Sequence, residues 1–274
     1  MPVSLRWLDA TTLPVDAEGI TPQAVRGLTP LEVSRLRVRA GNRGAELGEL
    51  FAVNGSEDAL RLEGDMPNVH GIGRGMSSGA LTVHGRTGAY LGAGLSGGTI
   101  EVHGNVAEWA GVGMSGGIIR VHGEAGDGLG GALPGSRLGM RDGVIVVHDR
   151  AGSDVGRRMR RGLIAVAGPA GDGFGADMIA GTVVACGPVG RDVGAGMKRG
   201  SIVLCDAASP RLPVAFERAG RFRFPFLAVY FRHLASLGFA VPLGVSEGSF
   251  ARYNGDLASG GQGEILTSPD AAEG

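Results

Sequence analysis

Lysine and cysteine are almost missing from this chain. Lys198 is its only lysine, and its only cysteines are Cys186 and Cys205. Two cysteines cannot build a disulfide framework or a four-cysteine iron–sulfur cluster. Charge imbalance is also missing, with 26 basic against 27 acidic residues, so no global field favours nucleic acid or an anionic membrane. The longest apolar run, Phe224–Phe231, is far too short to span a bilayer. The opening "MPVSLRWLDATTLPVDAEG" lacks a charged segment followed by an apolar one, so it does not read as a signal peptide. These absences lead to the expectation of a soluble cytoplasmic protein. Low hydrophobicity is not among them: 43% of the residues are hydrophobic, enough to form a core and exclude disorder.

What the chain has in excess is glycine, 52 residues of it. The phrase "AYLGAGLSGGTIEVHG" (Ala89–Gly104) returns nineteen residues later as "EWAGVGMSGGIIRVHG" (Glu108–Gly123). Equivalent glycines stand at Gly73, Gly92, Gly111, Gly130, Gly156, Gly175 and Gly194, spaced 19 apart except for one interval of 26. The long interval contains the insert "LPGSRLG" (Leu133–Gly139). Three residues after each glycine, allowing for the insert, stand Met76, Leu95, Met114, Met140, Met159, Met178 and Met197. Three further on stand Gly79, Gly98, Gly117, Gly143, Gly162, Gly181 and Gly200.

A unit this short holds one or two short strands and cannot bury its own apolar face, so it must stack on its neighbours. Alternation sends Leu81/Val83, Ile100/Val102, Ile119/Val121, Ile145/Val147, Ile164/Val166, Val183/Ala185 and Ile202/Leu204 inward. The expected fold is all-β: a right-handed parallel β-helix of about seven coils, with the Met/Leu row in its bore. At about 4.8 Å per strand the rod is on the order of 30–35 Å long. Calcium-binding nonapeptide helices are excluded because the repeat lacks their aspartate, and hexapeptide helices because the rhythm is wrong.

Residues 1–58 read as an N-terminal segment and cap. Thr29, Pro30 and Glu32 open a capped helix there, and "ELFAVNG" (Glu49–Gly55) reads as a strand of a degenerate early coil. Residues 59–206 carry the coils, with "ALRLEGD" (Ala59–Asp65) as another degenerate one. Residues 207–274 read as an amphipathic helix (Pro225–Gly238) followed by an ordered tail, both packing on the rod.

Three surface patterns are candidates for chemistry. The outward position before the closing glycine holds His84, His103, His122 and His148. That is a ladder of imidazoles about 4.8 Å apart, readable as weak metal candidates or as a packing stack. No carboxylate recurs beside it. Two positions earlier the outward face turns apolar at Val146, Ala165, Val184 and Val203. This strip is expected as a subunit interface wherever the C-terminal helix leaves it bare. One corner of the later coils is basic: Arg141, Arg157, Arg158, Arg160, Arg161, Lys198 and Arg199. It reads as a solvated edge or as a docking row for an acidic subunit or a polyanionic ligand. Cys186 and Cys205 occupy adjacent rungs, where parallel side chains stand further apart than the roughly 3.8 Å between Cβ atoms that a disulfide prefers, so free thiols are expected. "EAGDGLGG" (Glu124–Gly131) mimics a dinucleotide loop but leads to a strand rather than a helix, so it is discounted. Asp127, Asp154, Asp172 and Asp192 read as turn residues.

The serial G-x-G-M units, "LEGDMPNVHGIGRGMSSG" near their start and "RYNGDLASGGQGEI" near their end closely resemble the C-type subunit of formylmethanofuran dehydrogenase over roughly residues 30–266. The G-x-G-M repeat alone is also similar to the C-terminal domain of the glutamate synthase large subunit. Ala132, Arg158 and Asp177 depart from the pattern at the second glycine. The resemblance implies a structural subunit, with no catalytic residue and no cofactor of its own, in a complex of one-carbon metabolism. Two versions are implied. One is a formyltransferase/hydrolase complex with an amidohydrolase-like zinc component (A), a second component (B) and a formyltransferase component (D). The other is a redox dehydrogenase with a molybdenum or tungsten pterin. The arginine-rich, lysine-poor composition favours the bacterial, hydrolytic version. The resemblance also implies a methanofuran-type carrier with a glutamate tail, whose carboxylates a guanidinium row can bind.

Overall fold

The computed structural model describes residues 2–55, 57–206, 212–245 and 248–268. Among them one sheet of 13 strands runs the length of the molecule. Its centre is parallel and keeps the repeat in register, pairing Leu81 with Ile100, Ile100 with Ile119, Ile119 with Ile145, Ile145 with Ile164, Ile164 with Val183 and Val183 with Ile202. The insert Leu133–Gly139 is thus left out of the register. A second parallel ladder links Met66, Thr87, Val106, Ala125, Ala151, Ala170 and Val189 in turn. At a third corner Gly92 N donates to Ile72 O, Gly111 N to Leu91 O and Gly130 N to Ala110 O, each at 2.8 Å. Each repeat is therefore one layer, tied to the next on three sides.

The interior follows from that stacking. All seven Met/Leu side chains of the repeat are fully buried, as are Ile100, Ile119, Ile145, Ile164 and Ile202. Layers this close leave no room at the corners. A Cβ on Gly111 would lie 2.5 Å from Ile145 Cδ1, and the residue already has φ +68. The missing second glycines also have a local account. Arg158 and Asp177 both take left-handed backbone (φ 54 each), which costs a non-glycine residue about 1–2 kcal/mol. The pair is bridged at 3.5 Å, and Arg157 joins it at 3.3 Å.

The two ends are closed differently. At the N-terminal end Pro2–Trp7 pairs in parallel with Glu57–Glu63, and Trp7 packs edge-on against Phe51. Phe51–Asn54, expected as part of an early coil, runs antiparallel to Pro2–Trp7 and finishes the sheet as its edge strand. A four-stranded sheet and the helix Pro30–Ser34 cover this end. Thr29 and Glu32 form the expected capping box. At the far end Gln262–Thr267 continues the parallel ladder, setting Ile265 beside Ile202 and Leu266 beside Val203. The tail therefore adds a layer rather than only packing on the outside. Among the described residues no helix is long and apolar enough to cross a membrane.

Candidate functional site

The four histidines form one continuous stack. Their ring centroids are 4.7, 4.5 and 4.8 Å apart and their planes agree within 9°, because adjacent parallel strands present the same outward position. Phe239 sits 6.4 Å beyond His148. Burial, and then the neighbouring His122, hold His103 and His148 below the usual imidazole pKa. His103 and His148 are thereby held toward the neutral form.

Among the described residues the stack's acidic partner is Glu101, which was not visible as a repeat because it occurs once. Glu101 Oε1 lies 2.9 Å from His122 Nε2 and Glu101 Oε2 lies 2.9 Å from Arg120 Nη2. Burial alone would raise this carboxyl; the hydrogen bond with His122 and the charge of Arg120 outweigh it and keep Glu101 ionised. Glu101, His103 and His122 bring their ligand atoms within 4.8 Å of one another. Parallel imidazoles direct their lone pairs into separate planes, however, and the carboxylate is already engaged. To gather a metal ion, the site would have to turn His103 and His122 out of the stack.

The apolar strip lies elsewhere than on a free surface. Val146, Ala165, Val184 and Val203 are at most 1% exposed. They form a second core with Leu227, Phe231 and Leu234 of the helix Pro225–Ser236 and with Phe239, Val245 and Phe250. The expected subunit interface at these four residues is corrected: this chain's own C-terminal segment covers all of it. The reason is helical periodicity, since Leu227, Phe231 and Leu234 fall on one face of matching width. Cys186 and Cys205 are free thiols at this core. Cys186 and burial push the Cys205 thiol far above the ordinary range, which disfavours its thiolate form.

The seven basic residues divide into two groups. Arg157 is paired with Asp154 at 3.2 Å and with Asp177, and Arg158 also donates to Ser136 O of the insert. These two are structural. Arg141, Arg160, Arg161, Lys198 and Arg199 instead converge on an open groove of about 760 Å³, walled on the far side by Ser259, Gly260 and Gln262 of the tail. Met159 points inward between the two arginine pairs and is fully buried, so the pairs leave the corner on opposite sides. The expected turn aspartates serve the backbone. Asp127 accepts from Ser153 N at 2.7 Å and Asp172 from Arg191 N at 2.8 Å, while Asp154 and Asp192 hold left-handed backbone.

Regularly stacked layers with surface rows of side chains define a repeat protein of the solenoid kind, whose long faces are suited to holding other molecules. No protein-family model matches the chain. It is 35% identical, with a TM-score of 0.89, to a chain in the crystal structure of the formyltransferase/hydrolase complex FhcABCD from Methylorubrum extorquens in complex with methylofuran; the match covers 97% of this chain and 99% of that one. It is 36% identical over 78 residues to the C-type subunit of the formyltransferase/hydrolase complex Fhc of Methylorubrum extorquens, covering 28% of this chain and 29% of the relative. It is 38% identical over 82 residues to the C-type subunit of the molybdenum-containing formylmethanofuran dehydrogenase 1 of Methanothermobacter marburgensis, covering 29% of this chain and 20% of the relative. The matched stretches thus span a fifth to less than a third of these curated relatives' length. The chain belongs to the family of C-type subunits of formylmethanofuran dehydrogenases and formyltransferase/hydrolase complexes.

Proposed function

We propose that this protein is the scaffolding C-type subunit of a formyltransferase/hydrolase complex. The reading is carried by one observation, the near end-to-end likeness to a chain of FhcABCD. In this reading the layers form a right-handed parallel β-helix between an N-terminal cap (residues 1–58) and a C-terminal segment (residues 207–274). The helix presents fixed faces to the amidohydrolase-like component (A), the second component (B) and the formyltransferase component (D). The complex moves formyl from formyl-tetrahydromethanopterin to a methanofuran-type carrier and hydrolyses it to formate. The zinc and the reacting groups belong to the partners. The fully engaged state of Glu101, Arg157 and Arg158 supports a structural part for this chain's own charged residues.

The redox version stays as a second reading because dehydrogenase subunits are matched as well as the Fhc one. Affinity purification of the tagged chain from its native host distinguishes the two. The hydrolytic reading expects three further subunits in the eluate and zinc, without molybdenum or tungsten. Molybdenum or tungsten with iron–sulfur partners would establish the redox version, and elution of the chain alone would refute both.

A further inference from the structure

Six of the seven residues of the strand Glu217–Arg223 are exposed. It is the last strand of the 13-stranded sheet, bonded to Ser249–Gly255 along one edge. Among the described residues no strand pairs with its other edge. Part of an edge strand's backbone N–H and C=O groups point away from its neighbour, so this edge offers a row of free donors and acceptors. The sheet's opposite edge strand, Phe51–Asn54, is shorter and has only one exposed residue. A strand bonded on one side and bare on both faces buries little area to offset the entropy of ordering it. A further strand on its outer edge would supply the missing burial.

The side chains define what fits there. Arg221 and Arg223 lie on one face of the strand and Phe222 on the other. Arg218, Arg221 and Arg223 have no ion pair among the described residues, and Glu217 is the one acid in the strand. Phe222 is 47% exposed although Phe250, its cross-strand neighbour, is buried. From Phe222 a chain of edge-to-face contacts runs through Phe224 and Phe226 to Tyr230, at 6.2, 5.9 and 5.9 Å. Phe226 and Val229 are exposed as well. Aromatic rings and arginines are the residues enriched at protein interfaces, and grouped exposed apolar side chains mark such a site. A second copy is a poor occupant. Two copies paired antiparallel about Phe222 would set Arg221 against Arg223, and like charges directly opposite are destabilising. An acidic strand reverses the sign of that interaction.

We propose that Glu217–Arg223 receives an extended acidic segment of another protein as one more strand of the sheet. The segment's backbone pairs with the open edge, and its carboxylates face Arg221 and Arg223. Its apolar side chains, on the other face, meet Phe222 and the aromatic rings beyond it. Main-chain hydrogen bonds supply affinity in such a contact, and the alternating side chains supply selectivity. This contact rests on the reading of the chain as a subunit of a complex, and gives one docking site its place and chemistry. None of its residues belongs to the basic corner of the later coils.

The test replaces Phe222 by photoreactive p-benzoylphenylalanine in the tagged full chain. The complex is purified from the native host and irradiated, and the cross-linked peptide is mapped. A cross-link to a segment of another subunit with more Asp and Glu than Lys and Arg is expected. The double variant Arg221→Glu/Arg223→Glu should retain roughly tenfold less of that subunit while melting like the parent, since both sites are exposed. Arg39→Ser, in the small sheet at the other end, should retain all of it. A cross-link to a second copy of the chain, or to a neutral or basic segment, overturns the proposal. Full retention of the subunit by the double variant overturns it too, as does a cross-link that ribonuclease removes. Elution of the chain alone would refute the subunit reading as well, whereas an intact complex without the cross-link refutes this contact by itself.

Discussion

Replacing Gly117 by valine is expected to lower the melting temperature by about 10 °C or to prevent folding. Gly117 has φ +81, and a Cβ there would lie 2.8 Å from Gly98 O and 3.0 Å from Leu95 Cδ2. Left-handed backbone costs a β-branched residue about 1–2 kcal/mol or more. Forcing atoms between close-packed layers adds about 1–3 kcal/mol. For a chain of this size each kcal/mol moves the midpoint about 2–4 °C. Arg39→Ser, on an exposed site, should stay within about 0.5 kcal/mol of the parent. Arg120 would be a poor reference, since it is half-buried and bonded to Glu101. Equal thermal midpoints for the Gly117 and Arg39 variants would contradict the stacked-layer account.

The second large effect concerns the C-terminal helix. Phe231→Ala is expected to cost about 3–5 kcal/mol, because Phe231 is 2% exposed against the Val146–Val203 strip. Val229→Ala, on the outer face of the same helix at 66% exposure, should cost little. Loosening the helix uncovers apolar surface, so the Phe231 variant should also bind a dye specific for such surface more strongly than the parent. Denaturant melts of the two variants, run with the dye titration, check both points. Equal costs for the two substitutions would mean that the helix is not seated on the strip.

Much of this architecture was legible because repetition states each position seven times. Met76 and its equivalents, the inward isoleucines and the histidine row all lie where a nineteen-residue period puts them. What occurs once was harder to read. The single Glu101 beside the histidines gave no periodic signal. The sequence of Val146, Ala165, Val184 and Val203 says that they face outward and are apolar, but whether a partner or this chain covers them depends on how a non-repeating helix docks. Phe51–Asn54 has a strand's composition, but its direction is set by pairing with Pro2–Trp7, some fifty residues earlier. "RRMRR" (Arg157–Arg161) looks like one basic run. The inward Met159 splits it, sending Arg157 and Arg158 to aspartates and Arg160 and Arg161 to the groove.

The claim that this chain organises chemistry performed by its partners is tested most directly by turnover. The measurement is formate release from formyl-tetrahydromethanopterin and a methanofuran-type carrier, by the homogeneous chain and by the same chain assembled with its co-purifying subunits. Release by the assembly, and none by the chain alone, is the expected result. Release by the isolated chain that a single substitution within it abolishes would contradict the claim.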